Sequence, residues 1–275
     1  MFQDRPNQHG QIRSEAAANL AANRYCLIRL KDRDLLRRLP VILRSQQTGS
    51  LYQGMVNVLT KAGADLVADH YEYLGYGTPH WTRSLFDLAN QQLAHAIAIN
   101  DFLIHLQRAC WQQDLVLADW WNDRELAKRK DLGFTSTPDA FVVIATPAGT
   151  THGLFVEIDR GSETVLGVDA RRHDWRRKVA SYASYVAPGG SYWRLPFYEE
   201  LAPTPLILTI TTTPTRLEGM LKATQAGGGT DAFWYTTFPQ LDIHRSPGTF
   251  WQPIWRNVGS TEPCSLHAHL HLVTP

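Results

Sequence analysis

The sequence predicts an α+β fold, with a small helical head in front of a larger domain built on a central mixed sheet. Two patterns point that way. Apolar runs of strand length alternate with amphipathic helical stretches from about residue 91 onward. Ahead of them, short helical stretches lead into a strand–loop–strand segment. A third observation places the chemistry: acidic clusters stand at the edges of two of the strand-like runs.

Composition sets the frame. The 275 residues are enough for one large domain or two modest ones, and 44% hydrophobic with 19% charged residues is ordinary for a globular chain. The net charge of +1 excludes a globally basic nucleic-acid binder, but the charge is uneven. Residues 1–61 carry ten Lys or Arg against four Asp or Glu, a balance of +6, which leaves −5 on the rest. A basic amino-terminal part suits a DNA-contacting module. Cys26, Cys110 and Cys264 are far apart with no CxxC spacing, which argues against a structural zinc site or a disulfide framework. With no signal-peptide pattern and no run near the ~20 apolar residues of a membrane span, the expected setting is the cytoplasm, away from membrane.

In the head, residues 13–24 are alanine-rich and helix-prone, and Asp34–Leu39 reads as a short basic helix stopped by Pro40. Ser50 then caps a third helix to about Ala62, with Leu51, Met55, Val58 and Leu59 on one face, and Gly63 closes it. Asp65–Asp69 and Trp81–Leu88 read as strands around a turn-rich Tyr73–Pro79. Three helices followed by a strand, a loop and a strand is the layout of a winged helix, here over residues 10–90. Tyr52, Gln53, Asn57 and Lys61 would face the major groove, and His80 and Arg83 would sit at the wing. The alternative is a helix 50–62 that only packs a small domain.

In the larger part, residues 91–275, one long helix covers Asn90–Gln113. Strand-like runs follow at Leu115–Trp120, Phe141–Ile144 and Leu154–Ile158, then a helix over Val168–Val186 and a strand at Pro205–Thr211. A helix starts at Pro214 and ends near Thr224, and Ala232–Tyr235 reads as the last strand. From Arg256 onward no element is predicted. Helix, three-strand meander, helix, strand, helix, strand is the core order of restriction-endonuclease-like folds.

Pro138-Asp139 precedes one strand of the meander, and Glu157-Ile158-Asp159-Arg160-Gly161-Ser162-Glu163 ends the next. Laid side by side, these strands bring Asp139, Glu157 and Asp159 to one place, where three oxygen donors suit Mg²⁺. The spacing resembles the Pro-Asp…(Asp/Glu)-x-Lys pattern of DNA-cleaving enzymes, with Asp159 where the lysine usually stands. Lys178 on the following helix is the candidate replacement, with Arg176 and Arg177 beside it, and Glu125 is a weaker candidate ligand. The plainer reading is a network of ion pairs and hydrogen bonds that fixes the sheet edge. His267, His269 and His271 alternate as on a strand face but lack a partnering acid or cysteine. His95 reads as an interior histidine paired with Asp101, and Tyr182, Tyr185, Tyr192 and Trp193 as core packing. Gly227-Gly228-Gly229 follows a helix, so it reads as a turn.

Together these residues resemble the replication-relaxation family of plasmids and other mobile elements. The ordered set comprises Tyr71-x-Tyr73, Gly75-x-Gly77, His95 with Asn100-Asp101, Trp120-Trp121 with Glu125, Pro138-Asp139, the 157–163 cluster, and Lys178 with Tyr182. It closes with Pro214-x-Arg216-Leu217, Phe233-x-Tyr235-Thr236-Thr237 and Trp251 to Arg256. The first sixty residues fit less well. The resemblance implies a winged helix joined to a nuclease-like domain, used in replication or its control. Three roles stay open at this point: a DNA-binding protein acting in replication, transfer or transcriptional control, a Mg²⁺-dependent endonuclease or nickase, and an adaptor. The expected partners are double-stranded DNA, a replication, transfer or recombination protein, and, if it dimerises, a second copy of the chain.

Overall fold

The computed structural model describes residues 26–44, 51–73, 90–161, 165, 175–194, 201, 205–243 and 246–270. The chain is α+β and divides into two compact units, with the boundary between Ala94 and His95.

The first unit differs locally from the sequence reading. Residues 26–32 form a helix, α1. Strands β1 (Leu36–Arg44) and β2 (Leu51–Leu59) then pair antiparallel from Leu36↔Leu59 to Arg44↔Leu51. The residues expected to form the second and third helices are therefore a β-hairpin. Tyr52, Gln53 and Asn57 lie on a strand, not on a recognition helix. The physical reason is that 51–59 satisfies two periods at once. Tyr52, Gly54, Val56 and Val58 alternate as well as Leu51, Met55, Val58 and Leu59 recur, and pairing with 36–44 selects the alternation. Pro40 is accommodated because both strands of a two-stranded ribbon are edges.

Helix α2 (Lys61–Tyr73) replaces the expected strand at 65–69, and Lys61 opens it, paired with Asp65 one turn on. Thr60 caps it: its Oγ1 accepts from the Gly63 N–H at 3.1 Å and donates to the Asp34 carbonyl at 2.5 Å. Gly63 is required by close approach, because a Cβ there would lie 2.0 Å from the Leu35 carbonyl oxygen. The expected strand at 81–88, with His80 and Arg83, lies outside the described residues.

Among the described residues of the second unit, seven strands lie side by side in chain order. β3 (Val116–Asn122), β4 (Ala140–Ala145) and β5 (Thr151–Ile158) form an antiparallel meander. β6 (Leu206–Thr211) and β7 (Phe233–Thr237) continue parallel to β5, reached through helices α5 (Trp175–Val186) and α6 (Pro214–Ala226). β8 (Pro253–Asn257) and β9 (Cys264–Ser265) finish the sheet antiparallel. The expected helix–strand order holds. The additions are a short α4 (Asp123–Lys128), α7 (Phe238–Leu241), α8 (Leu266–His269) and the last two strands.

Alternation along the central strands divides the core in two. Val142, Ile144, Leu154, Val156, Leu208 and Trp234 pack on the face of α3 (Asn90–Trp111), whose Phe102 and Leu106 are fully buried. Phe141, Phe155, Ile207 and Tyr235 pack on the face of α5 and α6, against Trp175, Val179, Tyr182 and Met220. Strands covered on both faces read as unbroken apolar runs, which is why Leu206–Thr211 was legible as a strand. Tyr182, Tyr185 and Tyr192 are core residues ringed around Phe155, as expected. Gly227 caps α6 and Gly228 turns the chain with φ +78°.

Candidate functional site

The site is the end of the sheet where β4 begins and β5 stops. Ala140 pairs with Val156, so the residue before β4 stands across from Glu157. The Asp139 N–H donates to the Val156 carbonyl at 3.1 Å, and its Oδ2 accepts from the Ile158 N–H at 2.6 Å. Adjacent strands thus bring Asp139 and Glu157 to one edge. Asp159 follows two residues after Glu157, with its N–H bonded to the Ile210 carbonyl at 2.9 Å.

Each acid then holds a different helix. Asp139 Oδ1 meets His95 Nε2 of α3 at 2.9 Å, with side-chain exposures of 15% and 34%. Glu157 is only 1% exposed, and both oxygens are engaged on α5. Lys178 Nζ donates to Oε2 at 2.7 Å, and the Tyr182 hydroxyl donates to Oε1 at 2.5 Å. Asp159 is gripped by α6: Arg216 Nε and Nη2 donate at 2.5 and 2.7 Å, a bidentate fork. Thr211 Oγ1 and the Gly161 N–H complete its shell at 2.5 and 3.1 Å. Lys178 and Tyr182 reach one carboxylate because they are four residues apart on α5.

The electrostatics follow from burial. Sealing Glu157 away from water pushes its carboxyl up from 4.5 to about 7, against the pull of Lys178 and with the charge of Asp139 adding to the rise. Tyr182 is raised well above its ordinary value by burial and by Glu157. Burial opposes the charge on His95, but the hydrogen bond and negative charge of Asp139 overcome it, and the imidazole pKa rises. Asp123, at the start of α4, is raised by burial, with Asp139 adding to the effect. It belongs to the same acidic neighbourhood and was not singled out by sequence, since one acid at a helix start reads as ordinary capping.

Asp139, Glu157 and Lys178 are thus brought together, whereas Asp159 faces Arg216 and Thr211. The expected triad of metal ligands does not form: among the described residues no three His, Cys, Asp or Glu side chains are grouped to hold a metal ion. Mg²⁺ does not fit this arrangement, because both Glu157 oxygens already accept protein hydrogen bonds and Asp159 is saturated. Glu125 closes a capping box with Asn122. The partner of His95 is Asp139, forty-four residues away, in place of the expected Asp101. His267 and His269 lie on α8 against Trp251 and Trp234, not on a strand face, and His271 is outside the described residues. Arg216, quoted only within a helix-start motif, is a site residue that sequence reasoning passed over.

No helix among the described residues is long and apolar enough to cross a membrane. No curated protein and no solved structure matches the chain. A family model described as replication-relaxation matches residues 4–196. That span takes in residues 4–60, which fit the motif set less well, and stops before the pieces beginning at Pro214, Phe233 and Trp251. It also contains Asp139, Glu157, Asp159 and Lys178. With more than half its length matched, the chain belongs to the replication-relaxation family.

Proposed function

We propose that this is a duplex-DNA-binding protein of a mobile element, acting in its replication, transfer or transcriptional control, and that its nuclease-like sheet edge is a structural clamp. Family membership points to replication of mobile elements. The excess of basic residues in 1–61 supports contact with a polyanion. The observation that carries the clamp reading is the saturation of Asp159 by Arg216, Thr211 and the Gly161 N–H, together with the engagement of both oxygens of buried Glu157 by Lys178 and Tyr182. Asp159 has all of its acceptor directions used inside the protein and none left for a cation, while Glu157 holds one protein donor on each oxygen and is sealed from solvent. Asp159 neutralises Arg216 of α6, and Glu157 fixes α5 to the sheet through Lys178 and Tyr182.

The test is binding of a labelled mixed-sequence duplex in EDTA and again in Mg²⁺. The clamp reading expects equal affinity in both, and an affinity unchanged by Asp139→Asn. Loss of binding in EDTA would overturn it. Retention of a replication protein without any duplex binding would favour the adaptor.

One observation favours a second reading, a metal-dependent endonuclease or nickase. Lys178 is paired with Glu157, which in turn feels the charge of Asp139, an acid–acid–lysine grouping like that of the Pro-Asp…Glu-x-Lys pattern with the lysine moved to α5. That reading requires Glu157 to leave Lys178 and Tyr182, and it requires cleavage of plasmid DNA.

A further inference from the structure

The two faces of the β1–β2 hairpin differ in a way that its packing does not explain. Register places Arg38, Pro40 and Ile42 of β1 beside Asn57, Met55 and Gln53 of β2, all on one face, and all six are exposed. The opposite face carries Leu39, Val41, Val56 and Val58, with Val41 only 1% exposed and the others partly covered. Covering one face is what a hairpin needs in order to fold. The open face should then be a mixed-charge solvent surface. Instead, neither strand contains an acid, and of the three arginines of the ribbon Arg38 and Arg44 fall on the open face by register, with Arg37 on the other. Ile42 and Met55 remain 52% and 48% exposed in the middle of the open face.

We propose that this open face reads duplex DNA, with Arg38, Gln53 and Asn57 meeting base edges in the major groove. The inference rests on the DNA-binding reading above and locates it. Three properties fit. A two-stranded ribbon enters a major groove about 12 Å wide. Nine-residue strands at roughly 3.3 Å per residue are long enough to follow it across several base pairs. The polar side chains are of the kinds whose geometry matches bases: Arg forks onto guanine O6 and N7, and Asn or Gln onto adenine N6 and N7. Arg38 and Asn57 are cross-strand partners, so they reach the groove floor as one unit. The apolar pair Met55 and Ile42 suits thymine methyl groups, which explains why apolar side chains stand exposed among polar readers. The positive ribbon supplies attraction to the phosphates on either side.

The experiment selects duplexes from a random-sequence pool with the full-length protein. It then measures the enriched duplex against unselected duplex for wild type, Arg38→Ala, Asn57→Ala and Arg38→Lys. The expected result is that Arg38→Ala and Asn57→Ala each weaken binding to the enriched duplex by about tenfold. Their binding to unselected duplex should change much less. Arg38→Lys keeps the charge but loses the fork, so selectivity should fall while salt dependence stays. Thermal unfolding of each variant, expected to match wild type at these exposed positions, separates lost contact from lost fold. If the enriched duplex binds all three variants as it binds wild type, the hairpin is not the reader, although the DNA-binding reading stands. If wild type enriches no duplex, or prefers single strands or anionic vesicles, both fall.

Discussion

Glu157→Gln is the sharpest probe of the clamp. The substitution keeps the shape of the side chain and one accepting oxygen, so one of the bonds from Lys178 and Tyr182 is lost at every pH, and it removes the titration. In the folded protein the Glu157 carboxyl holds its proton up to about pH 7, against 4.5 in an unperturbed chain. A group that binds its proton more tightly in the folded state stabilises the fold fully below 4.5, and that contribution is lost as pH rises through 7. The interval corresponds to about 3 kcal/mol in total, of which roughly 2–3 kcal/mol falls between pH 5 and 8. Urea unfolding followed by tryptophan fluorescence reads the second unit directly, since Trp175, Trp234 and Trp255 are fully buried there. Wild type should lose stability relative to Glu157→Gln as pH rises, most steeply between 4.5 and 7. The His95 titration is common to both proteins and cancels in the difference. Parallel pH profiles for the two proteins would refute the reasoning, because they would mean that Glu157 titrates alike folded and unfolded.

Two further predictions test the other arms of the clamp. Arg216→Met leaves Asp159 buried without its cation and should cost about 3–5 kcal/mol, read as a fall in Tm, with much of it recovered in Asp159→Asn/Arg216→Met. The His95 pKa lies above its ordinary 6.5, so its pair with Asp139 stabilises the fold below that pH and fades as pH rises through the folded value. NMR titration of the His95 ring should show the raised midpoint, and Asp139→Asn should drop it below 6.5, because burial is the largest influence and only the weaker pull of Asp123 then opposes it.

The central sheet was legible because each of its strands is an apolar run of strand length, bounded by turns and flanked by helices of clear periodicity. Leu206–Thr211, covered on both faces, is the plainest case. The hairpin was not legible, because Leu51–Leu59 fits both a helical and an alternating period, and only its nonlocal partner at 36–44 decides between them. β8, β9 and α8 are too short and too near the sheet's edge to leave a pattern. At the site, strand pairing brought Asp139 and Glu157 together as read, and helical spacing put Lys178 within reach. Which way Asp159 would face was not written in its neighbours. It depends on Arg216, fifty-seven residues away, whose bidentate fork outcompetes any shared use of that carboxylate.

The account turns on what these acids do, and supercoiled plasmid incubated with the full-length protein in Mn²⁺ or Mg²⁺ asks that most directly. The clamp predicts plasmid that stays supercoiled while being bound, for wild type and for Asp139→Asn alike. Nicked or linear product from wild type that disappears in Asp139→Asn would contradict it, and would show that Glu157 exchanges its protein partners for a metal.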